Sequence, residues 1–331
     1  MKRLLLLIST LCWAYALSAQ VYPTLGKVVR LDPALEAILP ANATIEVLAS
    51  GFQWTEGPVW VAKGGYLLFS DTKQNTIFKW HPTEGLRTFL KPAGYTGIGT
   101  YGDEPGSNGL ILNSKGELVA CEHGDRRLSV MPLSGGGKRT LADQWQGKRL
   151  NSPNDVCQHS SGAYYFTDPP YGLPQKEKDK TREIEAFGVY RLDPDGTVTQ
   201  VISDLKRPNG VALSPDEKTL YIGQSDDTQP YVMAYPMQPD GSLGKGRIFY
   251  DLTPLNRQGL SRAPDGLCTD VRGNVYTTGG GGLVILSPQG KLLGRLELSA
   301  ATSNCSFSPD GYLYITAENY LCRIKTLTKE K

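Results

Sequence analysis

Apolar and aromatic residues fall in short runs along the chain, each preceded by a cluster of turn-forming residues. Tyr66-Leu67-Leu68-Phe69, Glu117-Leu118-Val119-Ala120, Tyr164-Tyr165-Phe166, Thr219-Leu220-Tyr221-Ile222, Asn274-Val275-Tyr276-Thr277 and Tyr312-Leu313-Tyr314-Ile315 carry the side chains that suit a pleated surface. The turns before them are Lys63-Gly64-Gly65, Ser114-Lys115-Gly116, Ser160-Ser161-Gly162, Ser214-Pro215-Asp216, Val271-Arg272-Gly273 and Ser308-Pro309-Asp310-Gly311. Runs of this length with this punctuation predict the second strands of hairpins. Gly188-Val189-Tyr190-Arg191-Leu192 and Gly282-Leu283-Val284-Ile285-Leu286 predict third strands. No long segment keeps a helical period, which disfavours βαβ architectures.

Ahead of each hairpin stands a polar head. The phrases are Glu56-Gly57-Pro58-Val59-Trp60, Asn108-Gly109-Leu110-Ile111, Asn154-Asp155-Val156-Cys157, Asn209-Gly210-Val211-Ala212, Asp265-Gly266-Leu267-Cys268 and Asn304-Cys305-Ser306-Phe307. The heads are 52, 46, 55, 56 and 39 residues apart, the size of a four-stranded propeller blade. The expected fold is therefore all-β, a six-bladed β-propeller. After Asn304 the chain is one strand short of a full blade, while Thr44-Ile45-Glu46-Val47-Leu48 precedes the first head without a blade of its own. That N-terminal strand is predicted to close the last blade, which removes the open edge of a linear array.

Composition fits this reading. The 331 residues are 40% hydrophobic, enough for a large core, and the 37 glycines and 22 prolines are spread as turn punctuation. Residues 1–19 read as a signal peptide: Lys2 and Arg3, an apolar stretch from Leu4 to about Leu17, then Ala16-Leu17-Ser18-Ala19 for cleavage. An exported protein, periplasmic or secreted, is expected, with residues 20–40 an N-terminal extension and 41–327 the propeller. Loss of Lys2 and Arg3 leaves 33 basic against 33 acidic side chains, so nothing argues electrostatically for nucleic acid, and the apolar stretch is too short for a membrane span. Cys121, Cys157, Cys268, Cys305 and Cys322 then remain, without a CxxC, and read as small buried core residues.

In a propeller the innermost strands line a central channel, so their heads converge on its axis. Carboxylate and amide oxygens are hard ligands, and two negative charges match a divalent cation, the ligand chemistry of calcium. Magnesium, manganese and zinc are the alternatives, zinc being disfavoured because His81, His123 and His159 have no paired-ligand spacing. Asn-Gly and Asp-Gly singly are ordinary turns. Turn chemistry explains neither Glu56 nor Asn154 before Asp155, nor six heads in register.

Glu56-Gly57-Pro58-Val59-Trp60, Ser152-Pro153-Asn154-Asp155, Phe166-Thr167-Asp168-Pro169-Pro170-Tyr171-Gly172, Arg207-Pro208-Asn209-Gly210 and Ala263-Pro264-Asp265-Gly266 resemble the signature segments of the gluconolactonase, regucalcin and senescence-marker protein family. The resemblance covers roughly residues 40 to 325. It implies a six-bladed propeller with a divalent metal, usually calcium, in the channel, and hydrolysis of a small-molecule lactone. It places metal ligands on Glu56, Asn209 and Asp265, with Asn154 as ligand or substrate contact, and general acid/base work on Asp265. Two substrate contacts of animal members differ here: Ser152 stands for an arginine, and a glutamate position falls near Tyr171. Sugar specificity is therefore not carried over. Cys121-Glu122-His123-Gly124-Asp125-Arg126-Arg127 resembles a segment of bacterial members.

The expected reaction is lactone opening, with Asp265 taking a proton from the attacking water while a channel cation supplies positive charge at the carbonyl. His123 is a candidate acid/base or substrate donor at the channel mouth, Tyr171 a candidate wall, and Asp168 a turn cap or a substrate contact. The stretch Lys176 to Glu185 is expected as an exposed loop over one face. There is no GxSxG elbow, and Gly279-Gly280-Gly281-Gly282 lacks the Lys-Ser/Thr of a phosphate loop. Two other functions stay open: a related metal-dependent hydrolase of phosphoesters or organophosphates, and a non-catalytic propeller that binds a sugar acid or a partner protein.

Overall fold

Each predicted second strand pairs antiparallel with a strand that begins at or just beside its polar head. In the computed structural model, which describes residues 21–260 and 262–329, these pairs open six antiparallel sheets, five of four strands and one of five, arranged as the blades of a propeller. The expected signal, residues 1–19, lies outside the described residues. The innermost strands of blades 1 to 6 are Thr55–Val61, Ser107–Leu112, Val156–Gln158, Pro208–Leu213, Leu267–Thr269 and Thr302–Ser308. Each is followed by its hairpin partner, for example Tyr66–Asp71 in blade 1 and Tyr164–Asp168 in blade 3.

The ring closes as the sequence predicts. Ile45–Ser50 pairs antiparallel with Tyr320–Lys325 and so becomes the outer strand of blade 6. First and last parts of the chain are thereby held in one sheet, and Trp60 of blade 1 stacks on Tyr314 of blade 6 at 5.4 Å between ring centroids. Part of the extension also joins a blade. Lys27–Arg30 pairs with Leu292–Glu297 as a fifth strand on blade 5, and Leu35, Ile38 and Leu39 are buried against blades 5 and 6.

Apolar packing lies between neighbouring blades, one cluster for each of the six interfaces. Inward and outward alternation along each strand serves two neighbours at once, which is why both faces of a blade are apolar. Cys121, Cys268, Cys305 and Cys322 are buried in these clusters, in keeping with the core reading.

In blades 1, 2 and 4 the heads owe their aim to bulges. In blade 2, Ser107 pairs with Glu122 and Leu110 with Ala120, so Asn108 and Gly109 together oppose Cys121 alone. Blade 4 does the same, Asn209 and Gly210 standing between the Pro208–Gln224 and Val211–Ile222 pairs. An extra residue twists the strand locally and re-aims its side chain. The glycine in each bulge is required by the next blade: a Cβ on Gly210 would stand 2.3 Å from the Asp265 carbonyl oxygen. The Gly210 amide donates to that same oxygen at 2.9 Å, and the Gly109 amide to Asn154 O at 2.8 Å.

Candidate active site

Five of the six heads meet at one end of the channel. Glu56, Asn108, Asn154, Asn209 and Asp265, with Trp54, Glu104, Tyr171 and Ser225, line a cavity of about 120 Å³. Asn304 is the exception. Its Oδ1 accepts from the following Cys305 amide at 2.8 Å and its side chain hydrogen-bonds Asp155, so it faces the opposite end of the channel. There a larger cavity of about 560 Å³ is lined by inner-strand residues with Asp155, Glu217 and His159. Only Asn304 of the heads reaches it, which puts the candidate site at the smaller, oxygen-rich end.

Among the described residues three carboxylates and no basic side chain line the site. Burial, followed by repulsion from Asp265, Asp155 and Glu104, holds the Glu56 carboxyl well above the usual range. Burial and the neighbouring Glu104 and Asp155 raise Asp265 in the same way. Glu104 is pushed up to about 7 by burial, with Lys176 and Lys73 partly offsetting it. Like charges at close quarters in a poorly solvated pocket favour protonation unless a cation joins them.

Local bonds fix each group. The indole of Trp54 donates to Glu56 Oε1 at 3.4 Å. The Asn209 side chain hydrogen-bonds both the Asp265 carboxylate and the Tyr171 hydroxyl, which in turn donates to Ser225 O at 3.1 Å. Tyr171 is thus a wall of the cavity, as expected, and Asn154 is in its lining.

His123 and Ser152 stand behind that wall. The expected placement of His123 at the mouth fails because Gly172 packs against its Cβ and Asn108 and Asn154 stand before its ring; its side chain is 0% exposed. Burial lowers its pKa to about 4, so the ring is neutral at pH 7. Ser152 Oγ is used up between Pro169 O and the Gly172 amide at 3.0 Å, which leaves it no direction toward a substrate. Asp168 caps its turn, accepting from the Asn151 and Ser152 amides at 2.7 Å each. The Lys176–Glu185 stretch is largely exposed, as expected, and is pinned by Glu177 paired to Arg207 at 2.5 Å and by buried Ile184.

Trp54, Glu104 and Ser225 were not singled out in the sequence. Trp54 lies two residues before a head, where its signal was available. Glu104 comes from Gly102-Asp103-Glu104-Pro105-Gly106, a connection before blade 2 that carries no blade period.

The residues present fit a hard divalent cation. The lining offers carboxylate and amide oxygens without thiol or imidazole, and Asn108 Oδ1 is a buried acceptor with no hydrogen-bond partner in the protein. Among the described residues no group of three or more His, Cys, Asp or Glu side chains is spaced to hold a metal, so a site here must draw on the asparagines.

Comparison with known proteins agrees with this architecture. The description of the SMP-30/Gluconolactonase/LRE-like region matches residues 54–319. A gluconolactonase of Zymomonas mobilis is 39% identical over 311 residues, 92% of this chain and 87% of that protein. The solved structure of a gluconolactonase from Xanthomonas campestris superposes with a TM-score of 0.80 at 29% identity, covering 93% of this chain and 99% of the other. Regucalcin of Agrobacterium tumefaciens, described as a calcium-binding protein, shares the fold with a TM-score of 0.68 at 19% identity over 86% of this chain and 94% of its own.

Proposed function

The chain belongs to the SMP-30/gluconolactonase/LRE-like family and is a lactonase, and we propose that it opens a neutral sugar lactone, such as an aldonolactone, with a divalent cation held in the channel. Calcium is the first choice among cations because every donor is a hard oxygen, with magnesium, manganese and zinc behind it. Glu56, Asn209 and Asp265 would hold the ion, with Asn154 as a further oxygen. When bound, such an ion supplies charge that polarises the carbonyl and keeps the carboxylates ionised.

The remaining chemistry belongs to the chain. Asp265 takes a proton from the attacking water and can return it to the ring oxygen that leaves as a hydroxyl. Asn209 holds Asp265 by a hydrogen bond, which limits the directions from which it can accept. The Tyr171 and Trp54 rings flank the cavity and narrow access for water.

One observation carries the choice of substrate: among the described residues three carboxylates line the cavity and no cationic side chain does, Arg262, Lys73 and Lys176 acting on them only from outside the lining. A neutral ester or lactone enters such a site without the repulsion that a phosphoester anion meets. The acid released on ring opening is an anion facing Glu104, which favours its departure. We further propose that the reaction takes place outside the cytoplasm, in the periplasm or the medium, since residues 1–19 have the pattern of an export signal.

The test is a pH-stat screen of aldonolactones, simple lactones and phosphoesters on metal-stripped protein with calcium, magnesium, manganese or zinc added back. Lactone turnover that returns with calcium supports the proposal. Full turnover after chelation, or preference for a phosphoester, overturns it.

A further inference from the structure

Resting on the reading of the channel heads as the ligand and substrate site, we propose that His123 is a positioning residue that turns the amide oxygens of Asn108 and Asn154 into the channel, with Glu104 holding its ring in the tautomer this needs. His123 Nε2 lies 3.4 Å from the amide nitrogen of Asn108 and 3.4 Å from that of Asn154. A side-chain amide nitrogen only donates, so Nε2 must present its lone pair to both. A neutral ring then carries its proton on Nδ1. That atom has no partner inside usual hydrogen-bond distance; Glu104 Oε2, an acceptor, faces it at 3.6 Å, and the Glu104 backbone carbonyl also acts on the ring as an acceptor.

The other two histidines are arranged the opposite way. His81 Nδ1 accepts from the Thr83 amide at 3.2 Å, and His159 Nδ1 from the Ser161 amide at 3.0 Å. Both rings must therefore carry the proton on Nε2. His123 alone is reversed, and it alone has a carboxylate at Nδ1 with two amides at Nε2.

An asparagine amide can turn half a revolution and exchange oxygen for nitrogen at almost the same shape. In a cavity meant for a cation or a sugar hydroxyl the wrong choice points N–H groups at the ligand. One buried acceptor shared by Asn108 and Asn154 takes an N–H from each, and their oxygens are left on the other side. The Asn108 oxygen is indeed buried with no partner in the protein.

The test begins with long-range proton–nitrogen correlation of protein labelled at its three histidines, at pH 7. The expected spectrum has one Nδ1–H ring, that of His123, lost in His123→Gln. An Nε2–H or doubly protonated His123 overturns the proposal. Calorimetric titration of calcium into metal-stripped wild type, His123→Leu and His123→Gln is the second arm. Affinity should fall about 10–100-fold in His123→Leu and recover in His123→Gln, whose amide oxygen can accept in place of Nε2. A folded His123→Leu that binds calcium as wild type does overturns the proposal, and if His123→Leu does not fold, the spectrum decides. Should the wild type show the Nδ1–H ring yet bind no divalent ion, the metal reading of the channel falls while the orientation of the amides stands.

Discussion

Thr167 in the second strand of blade 3 donates its hydroxyl at 2.6 Å to the backbone carbonyl of Asn209, the head of blade 4. Ser70 does the same for Asn108 at 2.9 Å, and Ser303 for Thr55 at 2.6 Å across the ring closure. These bonds hold the site from outside: a hydroxyl in one blade fixes the backbone from which the next blade's functional side chain projects. Thr167→Val keeps the shape and removes the donor, leaving a buried carbonyl short of a partner. Stability should fall by about 1–3 kcal/mol. Lactonase activity should fall as well, because Asn209 shifts, and Thr167→Ser should recover both. Urea unfolding and turnover measured on the same preparations check this; a stable Thr167→Val with full activity would remove the stitch from the argument.

Asp265→Asn tests the proton acceptor. Asparagine retains an oxygen and nearly the same volume, so the fold should survive while kcat falls by about 10²–10⁴-fold. The melting temperature should stay near that of the wild type in the metal-free state, where one fewer buried carboxylate relieves repulsion with Glu56 and Glu104. Activity within about tenfold of wild type would move the base elsewhere, with Glu104 the next carboxylate to try.

The blades were legible in the sequence because two regularities coincide there, apolar runs of strand length and polar heads at blade spacing. The closing strand Ile45–Ser50 could be found by counting strands. What a repeat does not encode was missed. Glu104 lies in a connection between blades. The direction of Asn304 depends on a bond to its own strand and another to Asp155. His123 was noticed as a polar residue after a strand, yet whether its ring stops behind the wall or passes through it depends on Gly172 and Ser152, far along the chain. Asp168, read as a turn cap or a substrate contact, is the cap, and that half of the reading was local in cue and in structure.

Gly210→Ala should damage fold and site together. Its new methyl would meet the Asp265 carbonyl oxygen at 2.3 Å, a backbone atom that cannot rotate away. Relief requires blades 4 and 5 to part, at a cost of about 1–3 kcal/mol from overpacking, and it carries Asp265 with it. Activity should fall further than the lost stability explains at a temperature where the variant is fully folded. Gly116→Ala is the control, its turn being open to solvent with no atom near an added methyl, although its φ of +73° brings a small backbone strain of its own. Equal loss of activity in the two variants would contradict the packing argument.

Removal of the cation should make stability fall steeply as pH rises. In the metal-free protein the carboxyls of Glu56, Glu104 and Asp265 are all held above their ordinary values, first by burial and then by neighbouring carboxylates: Asp265, Asp155 and Glu104 for Glu56, and Glu104 and Asp155 for Asp265. The folded state then binds more protons than the unfolded chain, so stability is full below the unfolded values near pH 4 and is lost as pH rises through the folded ones, about 7 for Glu104. Metal-stripped protein should therefore melt at a lower temperature at pH 8 than at pH 5.5. A divalent ion among the same carboxylates favours their charged forms, and saturating calcium should remove most of that slope, stabilising the protein far more at pH 8 than at pH 5.5. Asp168, raised to about 7 by burial behind the wall, is beyond the ion's help and should leave a residual decline. Differential scanning calorimetry across this range, with chelator and with calcium, gives both slopes; equal stabilisation by calcium at the two pH values would mean that the ion does not sit among these carboxylates.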